Sequence, residues 1–106
     1  MFLLTQTADG HCTYALRLPN GEILFTSPEY STRLLALKAI DTVRLVCARD
    51  VNYQRATAAN GNAYFVLRDA DQGILGTSRS HATEALREAD IALSQLHAPR
   101  ASVQLA

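Results

Sequence analysis

Serine, histidine and aspartate come together once in this chain, as Asp69, Asp71, Ser78 and His81. On paper that set supplies a nucleophile, a base and an acid to orient the base for acyl transfer. The context argues against it. A Gly-x-Ser-x-Gly elbow, which would hold the serine on an exposed strained turn, is absent. A closely similar earlier stretch carries Ser27 followed by Tyr30, so the base has no twin there. His11 and Cys12 are adjacent metal donors, but no second His or Cys stands at the two- to five-residue spacing of structural zinc sites. The glycines are isolated turn residues rather than a Gly-x-Gly-x-x-Gly or Walker loop. Tyr14, Tyr64 and Phe65, with Arg17 and Arg68 beside them, outline a stacking platform for single-stranded nucleic acid. Alternation along a strand, however, buries one face of it, and core packing accounts for such aromatics equally well. The expectation is therefore no catalytic residue, no metal and no cofactor.

Composition narrows the classes further. The 106 residues carry 10 basic and 10 acidic side chains, a formal net charge of zero. No overall field draws the chain to nucleic acid or to an anionic membrane. Nine of the ten basic residues are arginine, scattered from Arg17 to Arg100 without clustering. A hydrophobic fraction of 48% suits a packed domain and not a disordered one. Cys12 and Cys47 are too few for a disulfide framework, and Cys47 ends a helical apolar stripe as a small buried hydrophobe. The opening Met1-Phe2-Leu3-Leu4 lacks a basic n-region and is cut short by Thr5-Gln6-Thr7, so it does not read as a signal peptide. No stretch approaches the ~18 apolar residues of a membrane span. A cytoplasmic protein, monomeric or weakly dimeric, is expected.

Turn chemistry sets the elements that must position these residues. Strands are predicted over 2–7, 14–18 and 22–26, separated by Asp9-Gly10 and Pro19-Asn20-Gly21. Tyr14, Leu16 and Leu18 alternate with Ala15 and Arg17, the period of a half-buried strand. Ser31 or Thr32 can cap a helix over 32–47, with Leu35, Ala36, Ala39, Ile40, Val43, Val46 and Cys47 turned inward. The order then replays: strands over 51–57, 64–68 and 74–77, and a helix over 83–96 with Leu86, Ala89, Leu93 and Leu96 inward. A short closing strand at 102–105 follows.

The replay extends to sequence. Ile23-Leu24-Phe25-Thr26-Ser27 returns as Ile74-Leu75-Gly76-Thr77-Ser78, and Asp9-Gly10 as Asn60-Gly61. Tyr14 and Tyr64 align at an offset of 50 and the Thr-Ser pairs at 51, which places one extra residue in the second hairpin turn. The helical stripes align better at 50, leaving their register open. Two copies of ~50 residues are each too small to bury a comfortable core alone. The reading is one domain over 1–106 built of two repeats, 1–50 and 51–106.

From Tyr14 to Ser31 the pattern Tyr…Leu-x-Asn-Gly-Glu-Ile-Leu-x-Thr-Ser-x-x-Tyr-Ser resembles the YegP-like family of small bacterial proteins. Asn60-Gly61-Asn62-Ala63-Tyr64-Phe65 and Ile74-Leu75-Gly76-Thr77-Ser78 resemble that family's second copy. The resemblance implies an α+β fold: two tandem β3-α-β repeats forming one mostly antiparallel sheet, exchanging their last strands, with two helices packed on one face. It implies no activity. The chain departs from the pattern at Asp71-Gln72-Gly73, where Asn-Gly is expected, and at His81-Ala82, where the first copy has Tyr30-Ser31.

A sheet covered on one side leaves the other open. The functional expectation is a non-enzymatic binding or interaction module using that face or an edge strand, with an unknown protein or small-molecule partner. A nucleic-acid-associated protein and a small hydrolase are the rival classes. Thr26, Ser27, Thr77 and Ser78 are read as structural strand-to-helix junctions that satisfy backbone groups, not as catalytic residues.

Overall fold

The computed structural model describes all residues, 1–106. Three strands, β1 (Phe2–Gln6), β2 (Cys12–Arg17) and β3 (Ile23–Thr26), lead into helix α1 (Arg33–Val46). Strands β4 (Tyr53–Thr57), β5 (Ala63–Arg68) and β6 (Ile74–Ser78) lead into α2 (Glu84–His97), and β7 (Val103–Leu105) closes the chain. The strands form one seven-stranded sheet in the order β4-β5-β6-β3-β2-β1-β7. Every pairing is antiparallel except β1 with β7, which is parallel. The fold is α+β, a mostly antiparallel sheet with two helices.

Each helix begins where the sequence offers a cap. The Thr32 hydroxyl accepts from the Leu35 N–H and the Thr83 hydroxyl from the Leu86 N–H, both at 3.2 Å. One apolar core of 18 buried residues draws on β1 through β6, both helices and the turn after α2. A register shift between Leu16 and Arg17, of the β-bulge kind, accompanies a β3 in which consecutive Leu24 and Phe25 are both buried.

The two three-strand-and-helix segments keep one register throughout, an offset of 51 residues. It holds for the caps Thr32 and Thr83, the bridges Cys12↔Tyr30 and Ala63↔His81, and the bulges after Leu16 and Leu67. Tyr14 therefore corresponds to Phe65, not to Tyr64, and the second hairpin turn holds no extra residue. The tyrosine match misled because Tyr64 lies on the opposite face of its strand from Phe65.

The helical stripes need the larger correction. In α1, Ala36, Ile40 and Val43 are buried as expected, but Leu35 is 45% exposed. In α2 the buried residues are Arg87, Asp90, Ile91 and Ser94, whereas Leu86 and Leu96 are 53% and 66% exposed and Ala89 also faces out. Only Leu93 of the expected stripe packs against the core. Apolar periodicity chose the wrong face because the inward face of α2 is largely polar.

The tight turns show where conformation, not packing, selects the residue. Gly21 sits at φ +90° in the β2–β3 turn, and the corresponding Gln72 is the one non-glycine residue with positive φ, at +69°. Left-handed backbone costs a side-chain-bearing residue about 1–2 kcal/mol, partly offset by the extra unfolded-state entropy of glycine. Gln72→Gly is accordingly expected to stabilise the protein by about 0.5–1 kcal/mol, read as a rise of a few degrees in Tm.

Candidate functional site

The residues with a paper claim to hydrolysis do not meet as a triad. The Ser78 hydroxyl accepts from the Phe65 N–H and donates to the Arg79 carbonyl, both at 2.8 Å. Ser27 does the same with the Tyr14 N–H at 2.8 Å and the Pro28 carbonyl at 2.7 Å. Asp69 caps its own turn, accepting from the Asp71 and Gly73 N–H groups. Thr26 and Thr77 lie directly opposite each other where β3 meets β6, both exposed. Ser78→Ala and Ser27→Ala are each expected to cost about 1 kcal/mol, the worth of a lost hydrogen bond to a strand N–H. Paired thermal melts should show falls of similar size.

His81 instead belongs to a network that sequence reasoning missed. Its Nε2 lies 2.7 Å from Asp90 Oδ2 and its Nδ1 3.2 Å from the Ala63 carbonyl, with both side chains 5% exposed. Both ring nitrogens thus face protein acceptors, and neither is open to a substrate. Arg79 grips the same carboxylate, Nε to Oδ2 at 2.8 Å and Nη2 to Oδ1 at 3.1 Å, and reaches Glu22 with Nη1 at 2.7 Å. Burial works to raise the Asp90 pKa, but the bonds from Arg79 and His81 outweigh it and hold the carboxyl below its ordinary value.

The network continues along α2. Arg55 spans Glu88 and Asp50, and its hydrogen bonds hold Glu88 below the usual carboxylate range. Arg87 donates to Glu88 at 3.0 Å and to the Ala56 carbonyl at 3.2 Å. The Tyr53 hydroxyl donates to the Cys47 carbonyl at 2.7 Å and meets the Ser94 hydroxyl at 2.9 Å. At the 51-residue offset, Tyr30, Ala36, Ala39 and Val43 stand in place of His81, Arg87, Asp90 and Ser94. One legible trace was the joint departure at 81 and 90, a histidine and an aspartate replacing Tyr and Ala.

The supposed stacking platform is divided between two faces. Tyr14 and Phe65 are in the core, and the Tyr14 hydroxyl donates to the Leu75 carbonyl at 2.5 Å across β3. Tyr64 is half-buried on the other face, and Arg68 is tied to Gln54 and the Gln72 carbonyl. Cys12 and Cys47 are free buried thiols, and burial pushes that of Cys47 up. His11 turns away from Cys12 toward exposed Asp9 and Glu29, 3.6 and 3.9 Å distant, where ion pairs are worth little.

Open surfaces remain at the sheet ends. β7 covers β1, with Val103, Gln104 and Leu105 beside Phe2, Leu3 and Leu4. At the other end β4 pairs only with β5. A polar cleft of about 430 Å3 adjoins it, lined by Asn52, Gln54, Arg68 and Gln72 among others. A second cleft, of about 580 Å3, lies between the β2–β3 turn and the C-terminal end of α2. No helix is long and apolar enough to cross a membrane.

Comparison with known proteins points to one family. A family model described as a domain of unknown function, DUF1508, matches residues 58–104. The UPF0339 protein YegP of Escherichia coli K12 is 36% identical over 91 residues, covering 86% of this chain and 83% of that protein. A UPF0339 protein of Pseudomonas aeruginosa is 32% identical over 102 residues, 96% of this chain and 93% of that one. The solution NMR structure of E. coli yegP superposes with a TM-score of 0.92 at 33% identity, covering 98% of this chain and 90% of that chain. A Shewanella oneidensis UPF0339 structure shares the fold at the same TM-score of 0.92 and 24% identity, covering 98% and 88%. In sequence and in fold, the chain belongs to the YegP (UPF0339) family, whose function is unknown.

Proposed function

We propose that this chain is a non-enzymatic interaction module that takes an extended segment of a protein partner onto the free edge of β4. One observation carries the reading: the corresponding edge of β1 is closed by a parallel strand, and β4 has none. In β1 the Phe2 N–H donates to the Ser102 carbonyl at 2.7 Å, and the Leu4 carbonyl accepts from the Ala106 N–H at 2.9 Å. Tyr53 and Arg55 are the counterparts of Phe2 and Leu4 in the register of β4 with β5. Antiparallel alternation turns the main-chain groups of Arg55 and Thr57 away from β5, where an added strand would bond them. The adjoining cleft offers Asn52, Gln54 and Gln72 to side chains of that segment.

The same reading takes the chain as one domain of two repeats, 1–50 and 51–106, meeting where Thr26 faces Thr77. Thr26, Ser27, Thr77 and Ser78 then serve as structural junctions, and a cytoplasmic setting suits the free thiols. The binding test uses Thr57→Pro. Proline is tolerated where an edge-strand N–H faces outward, so the fold should survive with its melt little changed. Affinity capture from native lysate should retain a partner on the wild-type protein that Thr57→Pro loses. Equal capture by both proteins would refute the edge reading.

A further inference from the structure

We infer that the cleft between the β2–β3 turn and the end of α2 binds a small organic phosphate monoester. The inference is independent of the β4 edge and concerns the other end of the molecule. Five donor-bearing residues line this cleft, Arg17, His97, Arg100, Ser102 and Met1, whose amino group donates to the Arg17 carbonyl at 2.7 Å, and no carboxylate lines it. Five of the nine arginines, Arg17, Arg33, Arg49, Arg68 and Arg100, hold no carboxylate of this chain, and what points to a ligand is that Arg17 and Arg100 share one cleft. Arg44, Arg55, Arg79 and Arg87 each hold an aspartate or glutamate of this chain. Arg17 and Arg100 form no ion pair, although both lie on the one cleft. Arg17 Nε is also the only buried side-chain nitrogen or oxygen without a hydrogen-bond partner. The terminal Nη groups of Arg17, held by no acidic side chain, are the ones that could meet an oxyanion in the cleft bidentately. Two guanidiniums with a hydroxyl and an imidazole suit a dianionic head better than a single carboxylate. Leu18, Pro19 and Leu96 supply an apolar wall along the same cleft, so the head should carry an organic body. The volume of about 580 Å3 falls within the range of small-molecule sites.

The test is an NMR titration of the full chain at low, constant ionic strength with phenyl phosphate, and in parallel with inorganic phosphate. Phenyl phosphate should give saturable shifts confined to residues around Arg17, Leu96 and Arg100, and should bind more tightly than inorganic phosphate. Arg100→Gln, on the exposed terminal turn, should weaken binding about tenfold, the worth of a charge-assisted hydrogen bond. Arg49→Gln, an arginine outside the cleft, should leave binding unchanged. Arg17→Gln should abolish binding, and its melt shows whether the fold survives; Arg100→Gln keeps the test decisive where it does not. No saturation by about 10 mM phenyl phosphate would overturn the site. Equal weakening by Arg49→Gln and Arg100→Gln would reduce it to diffuse charge and overturn it too. Inorganic phosphate binding as tightly as phenyl phosphate would overturn the monoester assignment.

Discussion

Asp90→Ala is expected to destabilise the protein by about 3 kcal/mol, a fall in Tm of well over ten degrees for a domain of this size. Removing the carboxylate leaves the His81 ring buried without its partner and frees Arg79 from its bidentate contact. The lower end of the range for broken buried pairs applies because Arg79 is 38% exposed and keeps Glu22. The pH dependence has a definite sign. The folded pKa of Asp90 lies below its ordinary value of 3.8, so the contribution is fully present above that value. It is lost as pH falls through the lower folded value. Wild type and Asp90→Ala should therefore differ most near neutrality and converge in acid. A repair variant separates this account from simple cavity formation. His81→Tyr with Asp90→Ala rebuilds the Tyr30 and Ala39 pairing of the N-terminal half and should recover part of the loss. If the double variant is no more stable than Asp90→Ala alone, the network is not what the aspartate serves.

The second large effect concerns the whole chain. A fragment ending at Asp50 should be unfolded or form a strand-exchanged homodimer. Its core is completed from the C-terminal half: Phe25 packs edge-on against Phe65 at 6.4 Å, and a Cβ at Gly76 would stand 2.5 Å from the Phe25 ring. Tyr14 would lose the Leu75 carbonyl, and β1 would lose β7. Some 50 residues without these contacts cannot offset their chain entropy. Sedimentation and a thermal melt decide it, and a monomer with a cooperative transition would refute the prediction.

The sequence by itself determined the strands, their turns and the helix starts. These are local: a Gly at a left-handed position, a period of two, a threonine before an apolar run. It also carried the family, through the pattern from Tyr14 to Ser31 and its second copy. Only the tertiary structure decided which face of α2 is buried. Arg87, Asp90 and Ser94 are polar, and local hydropathy places such residues outside. They lie inside because partners outside the helix satisfy them: Ala56, His81, Arg79 and Tyr53. The same cause put Leu86 and Leu96 in solvent. The 51-residue register was likewise hidden, since Tyr14 and Tyr64 match as residues while only Tyr14 and Phe65 match as positions in a sheet. A side chain's type reports its own transfer free energy; its place in the fold depends on what the rest of the chain brings to meet it.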